Sequence, residues 1–232
     1  MTEHSLFGAD HAAVSENWNR RGFAYRCKLL HAALEQLPLA ADHEEQLRLI
    51  PLLLSRAQHM GRVQELPGPT GESNELYLSG RGDVLVFGTP GATPVALAGQ
   101  VFSALACGNP VILSGLVETA WCNRLVMLLH QIGVPRGVLT FVENEPLEAL
   151  LALPKLALVA PVCAAREQIL FQRQLAERTG LLVQLAAETD PEGCSTLLQP
   201  DHTHRFVTEK TRTINTTAVG GNATLLELGS TA

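Results

Sequence analysis

An alternation of short apolar strands with amphipathic helices, between residues 83 and 185, constrains the fold of this chain more than any other feature. Helical periodicity separates apolar runs that are too short to be helices. Strands joined by helices form right-handed βαβ units, so the pattern predicts an α/β fold with a doubly wound parallel sheet. The predicted strands are Asp83–Phe87, Pro110–Leu113, Val138–Val142, Leu156–Val159 and Leu181–Leu185. The predicted helices are Pro94–Cys107, Thr119–Ile132, Pro146–Leu153 and Cys163–Thr179. Sheets of this kind often bind nucleotides, but the fold alone assigns no function.

The segments on either side of this alternation have different patterns. Residues 17–60 have helical spacing, and Pro51 is expected to kink or interrupt the second of two helices. A loop rich in glycine and proline, Leu66–Asn74, then leads to a short strand at Glu75–Leu78. We therefore divide the chain into an N-terminal helical segment (1–63), a main domain (64–200) and a C-terminal segment (201–232).

The C-terminal segment predicts a polar β-hairpin. Phe206–Ala218 is prone to form a strand, Val219–Asn222 suits a tight turn, and Ala223–Leu228 forms the returning strand. Such a ribbon has too little apolar surface to be stable alone, so we expect it to lie against something. A polar hairpin at a chain end is more often a docking element than a catalytic one. Alternation places four polar side chains on one face: Thr211, Thr213, Asn215 and Thr217.

Charge and composition exclude several classes of function. The formal net charge is −6 and the 17 basic residues are spread along the chain, which argues against a nucleic-acid-binding surface. No early segment resembles a signal peptide, and no apolar run is long enough to cross a bilayer. The 5 cysteines form no CxxC pair, which indicates reduced thiols in the cytoplasm. The sequons at Asn215 and Asn222 are then not glycosylated.

Few residues suggest chemistry. Gly88–Pro94 joins a strand to a helix, where a phosphate could bind, but it matches neither GxGxxG nor a P-loop lysine motif. Cys163 and Cys194 have apolar or unremarkable neighbours and suit buried thiols better than nucleophiles. His202 and His204 could bind a metal ion, but their neighbourhood lacks further ligands. The residues alone indicate an α/β domain to which we assign no catalytic, cofactor-binding or metal residue.

Three stretches resemble aldehyde dehydrogenases, and specifically the proline utilization A family, which joins proline dehydrogenase to glutamate semialdehyde dehydrogenase. They are Leu66–Asn74, Gly99–Leu113 and, most specifically, Arg205–Gly229. The similarity covers roughly residues 64 to 229. It implies a Rossmann-like sheet similar to the NAD-binding half of an aldehyde dehydrogenase, with the hairpin as a protruding flap.

The departures from the family pattern imply that this chain does not use NAD. Ala92 replaces the amide that would help hold an oxyanion. Ser114 stands where the family has a lysine for the adenosine ribose, and Val117 replaces a glutamate three positions later. Ala160–Pro161 replaces the glycine–serine pair that starts the phosphate-facing helix, and Ala165 replaces a further glycine. Losing several such contacts weakens dinucleotide binding by ~10³-fold or more.

The family's catalytic domain is missing. Glu188 falls where the family has its general base, but only about 17 residues separate it from the C-terminal motif, too few for the domain that carries the nucleophilic cysteine. Glu188 is therefore interpreted as an ordinary strand-end carboxylate. The chain resembles the C-terminal domain of the longer members of the family. In them this domain is non-catalytic, and its hairpin packs on the dehydrogenase module and roofs the cavity through which the intermediate passes.

The resemblance implies a helper domain in the conversion of proline to glutamate. It implies no cofactor in this chain, FAD and NAD in the parent enzyme, a semialdehyde dehydrogenase module as partner, and a cytoplasmic location for a parent that can be peripheral to a membrane. Self-association through the hairpin, and an excised domain rather than a natural short protein, stay open. The alternative is an NAD(P)-binding oxidoreductase or regulatory nucleotide-binding subunit. The predicted docking residues are Phe206, Thr208, Glu209, Thr211, Thr213, Asn215, Thr217, Gly220, Gly221 and Asn222.

Overall fold

The computed structural model describes residues 10–37 and 48–215. The α-helices are α1 (His11–Arg20), α2 (Gly22–His31), α3 (Leu49–His59), α4 (Pro94–Ala106), α5 (Thr119–Gln131), α6 (Leu147–Leu151) and α7 (Ala165–Ala176). Short 3-10 helices cover Leu34–Gln36 and His202–Phe206. The strands are β1 (Gln64–Leu66), β2 (Glu72–Gly80), β3 (Asp83–Gly88), β4 (Val111–Ser114), β5 (Leu139–Val142), β6 (Leu156–Val162), β7 (Gln184–Leu185) and β8 (Val207–Asn215). Among the described helices, none is long and apolar enough to span a membrane.

Five strands form a parallel sheet, which confirms the predicted α/β class. Their spatial order is β5-β4-β3-β6-β7. Within this sheet the chain passes first through β3, then through β4 to β5 at one edge. It then crosses to β6 on the other side of β3 and continues to β7. This is the doubly wound arrangement, and its topological switch point lies between the carboxyl ends of β3 and β6.

The parallel sheet is covered on both faces. On β3, Val84 and Val86 belong to the core that also contains residues of α1–α5. Leu85 and Phe87 belong to a second core, against α6 and α7. Every residue of β3 is buried because successive side chains enter opposite cores. The structure is therefore a helix–sheet–helix sandwich with its loops at the sheet ends.

The N-terminal helices share the larger core with the sheet. The Arg26 guanidinium lies at the C-terminal end of α4, where the helix dipole favours a cation. Its Nε donates to the Ala106 carbonyl at 2.9 Å, and Nη1 donates to the Asn19 carbonyl at 2.7 Å. Trp18 Nε1 donates to the Leu105 carbonyl at 3.1 Å. These bonds attach α1 and α2 to α4, although the division at residue 63 stays a prediction.

Within the described residues Pro51 does not kink its helix, and its interruption of a longer helix stays a prediction. Helix α3 begins at Leu49, so Pro51 is its third residue. The first four N–H groups of a helix have no intrahelical acceptor, and a proline there removes no hydrogen bond. Residues 38–47, which precede this helix in the predicted helical segment, lie outside the described part of the chain.

The edge of the parallel sheet also differs from its prediction. The last strand is Gln184–Leu185 rather than Leu181–Leu185, and Leu182 is 98% exposed. Helix α7 starts two residues later than predicted because the chain is still extended at Cys163, whose N–H donates to the Glu188 carbonyl at 3.0 Å.

A second, antiparallel sheet has the order β1-β2-β8. Strand β8 pairs with β2 along nine residue pairs, from Gly80 opposite Val207 to Glu72 opposite Asn215. The strand predicted for the first arm of the hairpin is therefore present, as β8, and it pairs with β2 of the main domain. The predicted turn and returning strand lie outside the described residues.

Candidate functional site

The loop Gly88–Pro94 leads from β3 into α4. Thr93 caps α4: its hydroxyl oxygen accepts from Ala96 N–H at 3.3 Å, and the same hydroxyl donates to the Pro191 carbonyl at 2.7 Å. Pro94 occupies the first helical position, where its missing donor costs nothing. The start of α4 is thus satisfied by groups of the chain itself.

Apolar side chains cover the carboxyl ends of β3 and β4. A methyl group placed on Gly88 would come within 2.6 Å of Ala92 Cβ and of Val117 Cγ2. Ser114 is 1% exposed, and its hydroxyl has no partner among the described residues. A valine cannot accept a hydrogen bond from a ribose, and a buried serine cannot replace a long cationic side chain. Neither group supplies the ribose contacts that the resemblance assigns to these two positions.

The start of α7 corrects one part of the sequence comparison. Ala160–Pro161 lies inside β6, and the helix begins at Ala165 with Ala164 as its N-cap. The Glu167 carboxylate accepts from Ala164 N–H at 2.8 Å and from the Thr89 hydroxyl at 2.7 Å. This carboxylate therefore closes the helix start and ties it to the loop after β3, across the switch point.

Pro161 leaves a gap in the ladder of the parallel sheet, and a side chain fills it. The Pro161 carbonyl accepts from Glu188 N–H at 2.9 Å, so its nitrogen faces the Ala186 carbonyl in the same ladder. Proline has no N–H to donate. Instead, Gln100 Nε2 donates to the Ala186 carbonyl at 2.8 Å. Sequence analysis missed this role, although a glutamine in an otherwise apolar helix was a visible signal.

Glu188 is a buried structural carboxylate. It is 0% exposed, follows β7 and bridges to Val162 of β6. Its Oε1 accepts from Asp190 N–H and its Oε2 from Leu197 N–H, both at 2.8 Å. The carboxylate thus holds the turns that follow β7. The interpretation as a strand-end group agrees with this geometry, but the side chain is far more enclosed than the sequence indicated.

The cysteines are buried neutral thiols. Burial, reinforced by the nearby carboxylates of Glu167 and Glu188, raises the pKa of Cys163 to about 12. Burial, together with the carboxylates around Glu188, likewise raises the pKa of Cys194 to about 12. Only the thiolate is a strong nucleophile, so neither group is activated. All 5 cysteines are free and buried.

The two histidines of the candidate metal motif lie in different environments. His202 is buried, and burial lowers its pKa to about 4, with a smaller contribution from Arg205. Neither ring nitrogen of His202 has a hydrogen-bond partner among the described residues. His204 is exposed. No group of three or more potential ligands in the described ranges is placed to hold a metal ion.

The predicted docking residues divide between the core and an exposed strand. Phe206 is 0% exposed, belongs to the larger core and stacks edge-on against His202. Its assignment to a docking surface is therefore corrected, since a buried ring cannot meet a partner. Beyond Thr208 every described residue of β8, including Glu209, is exposed. Four docking residues lie outside the described residues: Thr217, Gly220, Gly221 and Asn222.

The pairing with β2 assigns the exposed side chains of β8 to two faces. Thr211 and Thr213 stand opposite Leu76 and Asn74, so they share one face with them and with Asn215. The Thr213 hydroxyl donates to Asn74 Oδ1 at 2.5 Å. The intervening residues of β8 point to the other face of the sheet. The polar face that the alternation predicted is therefore present as far as residue 215.

Comparison with solved structures identifies proteins that share this fold. No family profile matches the chain, and no curated protein matches it. A structure of a Bradyrhizobium japonicum proline utilization A variant superposes with a TM-score of 0.69 and 28% identity, over 80% of this chain and 22% of that one. The fold is an aldehyde-dehydrogenase-like fold, related to that of proline utilization A. The chain thus spans about a fifth of the length of those proteins.

More distant structures share the fold alone. Proline utilization A from Bdellovibrio bacteriovorus, inactivated by N-propargylglycine, gives a TM-score of 0.59 at 17% identity, over 79% of this chain and 22% of that one. An NAD-dependent benzaldehyde dehydrogenase from Corynebacterium glutamicum gives 0.57 at 19% identity, over 78% of this chain and 45% of that one.

Proposed function

We propose that this chain is a non-catalytic helper domain of a proline utilization A enzyme. It packs β8 and the C-terminal residues on the glutamate semialdehyde dehydrogenase module, supports the activity of that module and covers the cavity between the two active sites. The observation that carries the proposal is a contrast within one fold. The polar strand β8 is held in place along its whole described length, whereas apolar groups cover the carboxyl ends of β3 and β4.

The chemical groups argue against catalysis by this chain. Both oxygens of Glu188 already accept backbone hydrogen bonds, so the carboxylate is poorly placed to take a proton from water or a thiol. The raised pKa of Cys163 and Cys194 keeps both thiols protonated at neutral pH. An acyl-transfer mechanism needs an activated nucleophile and a free base.

The helper role implies that NAD and FAD are bound elsewhere in the parent enzyme. Val117 over Gly88 and the buried Ser114 support this for NAD. Calorimetric titration of the purified chain with NAD is the direct test, and we expect no heat of binding up to millimolar concentrations. A low-micromolar dissociation constant would support the alternative, an NAD(P)-binding oxidoreductase or regulatory nucleotide-binding subunit.

The docking role is tested in the longer parent enzyme. Because Phe206 is part of the core, a deletion should spare it and begin at Thr211, removing residues 211–229. We expect this deletion to lower glutamate semialdehyde dehydrogenase activity while proline oxidation stays nearly unchanged. Arg173→Gln, on the exposed surface of α7, is the matched control. Wild-type levels of both activities after the deletion would show that the strand is a passive tail.

Self-association through the same strand is a second use of the surface. A strand that offers its backbone to a partner sheet can pair equally with a second copy. Light scattering on the chain and on its 211–229 deletion separates the two uses. A dimer that persists after the deletion would assign self-association to another surface. The cytoplasmic location of the parent enzyme stays a prediction.

A further inference from the structure

A groove runs between the N-terminal helices and one face of the antiparallel sheet. Its main part has a volume of about 540 Å³ and lies between α1, α2 and the residues after α3 on one side and β2 and β8 on the other. A smaller part of about 170 Å³ extends it toward the turn between β2 and β3. The two parts share the residues Glu16, Asn19, Ser79 and Lys210. They therefore form one elongated groove on the face opposite to the threonines of β8.

The groove is basic, although the chain as a whole is acidic. Of the 17 lysine and arginine residues in a chain of net charge −6, five line the groove. They are Arg20, Arg62, Arg81, Lys210 and Arg212. The acidic residues that line it are Glu16 and Asp83. A local excess of positive charge on an acidic protein indicates a site for an anionic partner.

Some of these charges are already compensated and others are not. Arg20 pairs with Glu16 at 3.0 Å, and Arg212 pairs with Glu75. Asp83 likewise has a partner, since His11 Nε2 of α1 lies 2.8 Å from its Oδ1. Within the described part of the chain, Arg62, Arg81 and Lys210 make no ion pair, and Arg81 Nε donates to the Arg205 carbonyl at 2.7 Å. Since a backbone carbonyl already holds Arg81 in the smaller part of the groove, Arg62 and Lys210 are the cations that a partner would meet first.

The groove also offers apolar contacts between its charges. Phe23, Met60 and Tyr77 contribute to its walls, and Val63 is 54% exposed at its edge. A site for a small anion concentrates donors on one point. Here the cations are spread along an elongated, partly apolar surface, which suits a chain molecule better than a single phosphate.

We propose that this groove binds an extended, acidic segment of a partner polypeptide. Lys210 and Arg212 lie two residues apart on one face of β8, so their side chains leave the strand ~7 Å apart. Arg212 donates to Glu75 through Nε and Nη2, so its Nη1 is the group that would meet a second carboxylate. Carboxylates on alternate residues of an extended peptide have the same spacing. The residues between them would face the apolar walls. The segment pairs its acidic side chains with the groove and leaves the threonine face of β8 available.

This inference deepens the proposed function, because it gives the dehydrogenase module an acidic segment as its second point of contact. Peptide binding is measurable on the isolated chain, whereas the helper role needs the parent enzyme. Failure of one measurement is therefore distinguishable from failure of the other.

The test uses the full chain and two short synthetic peptides. In one peptide glutamate alternates with valine, and in the other glutamine replaces every glutamate. Fluorescence anisotropy should detect binding of the glutamate peptide alone, and raising the salt from about 0.1 M to about 1 M should abolish it because the Debye length falls to about 3 Å. Replacing two of the cations that make no ion pair, Arg62→Gln with Lys210→Gln, should weaken binding by about tenfold.

Arg173→Gln is the control variant, since Arg173 is an exposed cation on α7 outside the groove. It should bind the glutamate peptide as the wild type does. Equal weakening in both variants would overturn the assignment to this groove, and equal binding of the two peptides would overturn the acidic partner. Displacement of the peptide by inorganic phosphate at equimolar concentration would show a small-anion site instead, and absence of binding would refute the proposal outright.

Discussion

The glutamine that replaces a proline's missing donor gives a quantitative prediction. Gln100→Met keeps the length of the side chain but leaves the Ala186 carbonyl, buried beside β6, without its 2.8 Å partner. An unsatisfied buried acceptor costs about 1–3 kcal/mol. The Gln100 Oε1 atom has no partner among the described residues, so the substitution also removes one unsatisfied atom. We therefore expect a loss of about 1–2 kcal/mol in the free energy of unfolding.

A second substitution tests the mechanism. Pro161→Ala restores an N–H that faces the Ala186 carbonyl, so Gln100→Met should cost less in that background. The difference is the coupling energy of a double-mutant cycle, and we expect about 1 kcal/mol. Urea unfolding of the four proteins measures it, provided that the slope m is unchanged. Gln174→Met, on the exposed face of α7, controls for the change of side chain. If Gln100→Met lowers the free energy of unfolding equally in both backgrounds, Gln100 does not compensate for the N–H that Pro161 lacks.

Three further predictions concern buried titratable groups. His202 is neutral in the folded chain because its pKa is about 4, whereas in the unfolded chain it takes up a proton below about pH 6.5. The free energy of unfolding should therefore fall as the pH falls from about 6.5 to about 4, by up to about 1.4 kcal/mol per pH unit. Urea unfolding at several pH values measures this slope, which His202→Leu should remove. Arg26→Met should lower the free energy of unfolding by about 2–4 kcal/mol, because the hydrogen bonds from its guanidinium to backbone carbonyls are lost. A loss below about 0.5 kcal/mol in urea unfolding would show that these bonds do not stabilise the packing of α2 on α4. The 5 buried cysteines should react with a thiol reagent only after unfolding, and rapid labelling of a thiol in buffer would reveal an activated group.

The parallel sheet could be predicted because its strands can be recognised from local sequence. Each is a short apolar run bounded by glycine or proline, and the order of elements along the chain limits how they assemble. The predicted strand bounds are wrong where pairing with a strand distant in the sequence determines where a strand begins. The run Leu181–Val183 is apolar enough for a strand, but pairing with β6 begins only at Gln184.

The site was less predictable than the fold. The resemblance placed Ala160–Pro161 at the start of a helix, whereas Pro161 lies inside β6, a position where prolines are rare. The amide of Gln100 supplies the donor that Pro161 lacks there. Phe206 suggested an exposed ribbon because polar residues follow it, yet its ring enters the core. Both contacts join residues that are far apart in the sequence, so local patterns do not identify the partner, although the glutamine in an otherwise apolar helix marked Gln100 as unusual.

The pairing of β2 with β8 has a consequence for how the protein is made. In the sequence the two strands are separated by residues 81–206, so β2 lacks this neighbour until residues 207–215 have been synthesised. Ordering β8 requires closure of a very long loop, which we expect to be a late step in folding. Pulse-labelling hydrogen exchange should then show the amides of β8 protected after those of β3 and β6. Under the proposed docking role of β8, a partner would therefore recognise only a domain in which the parallel sheet has already formed.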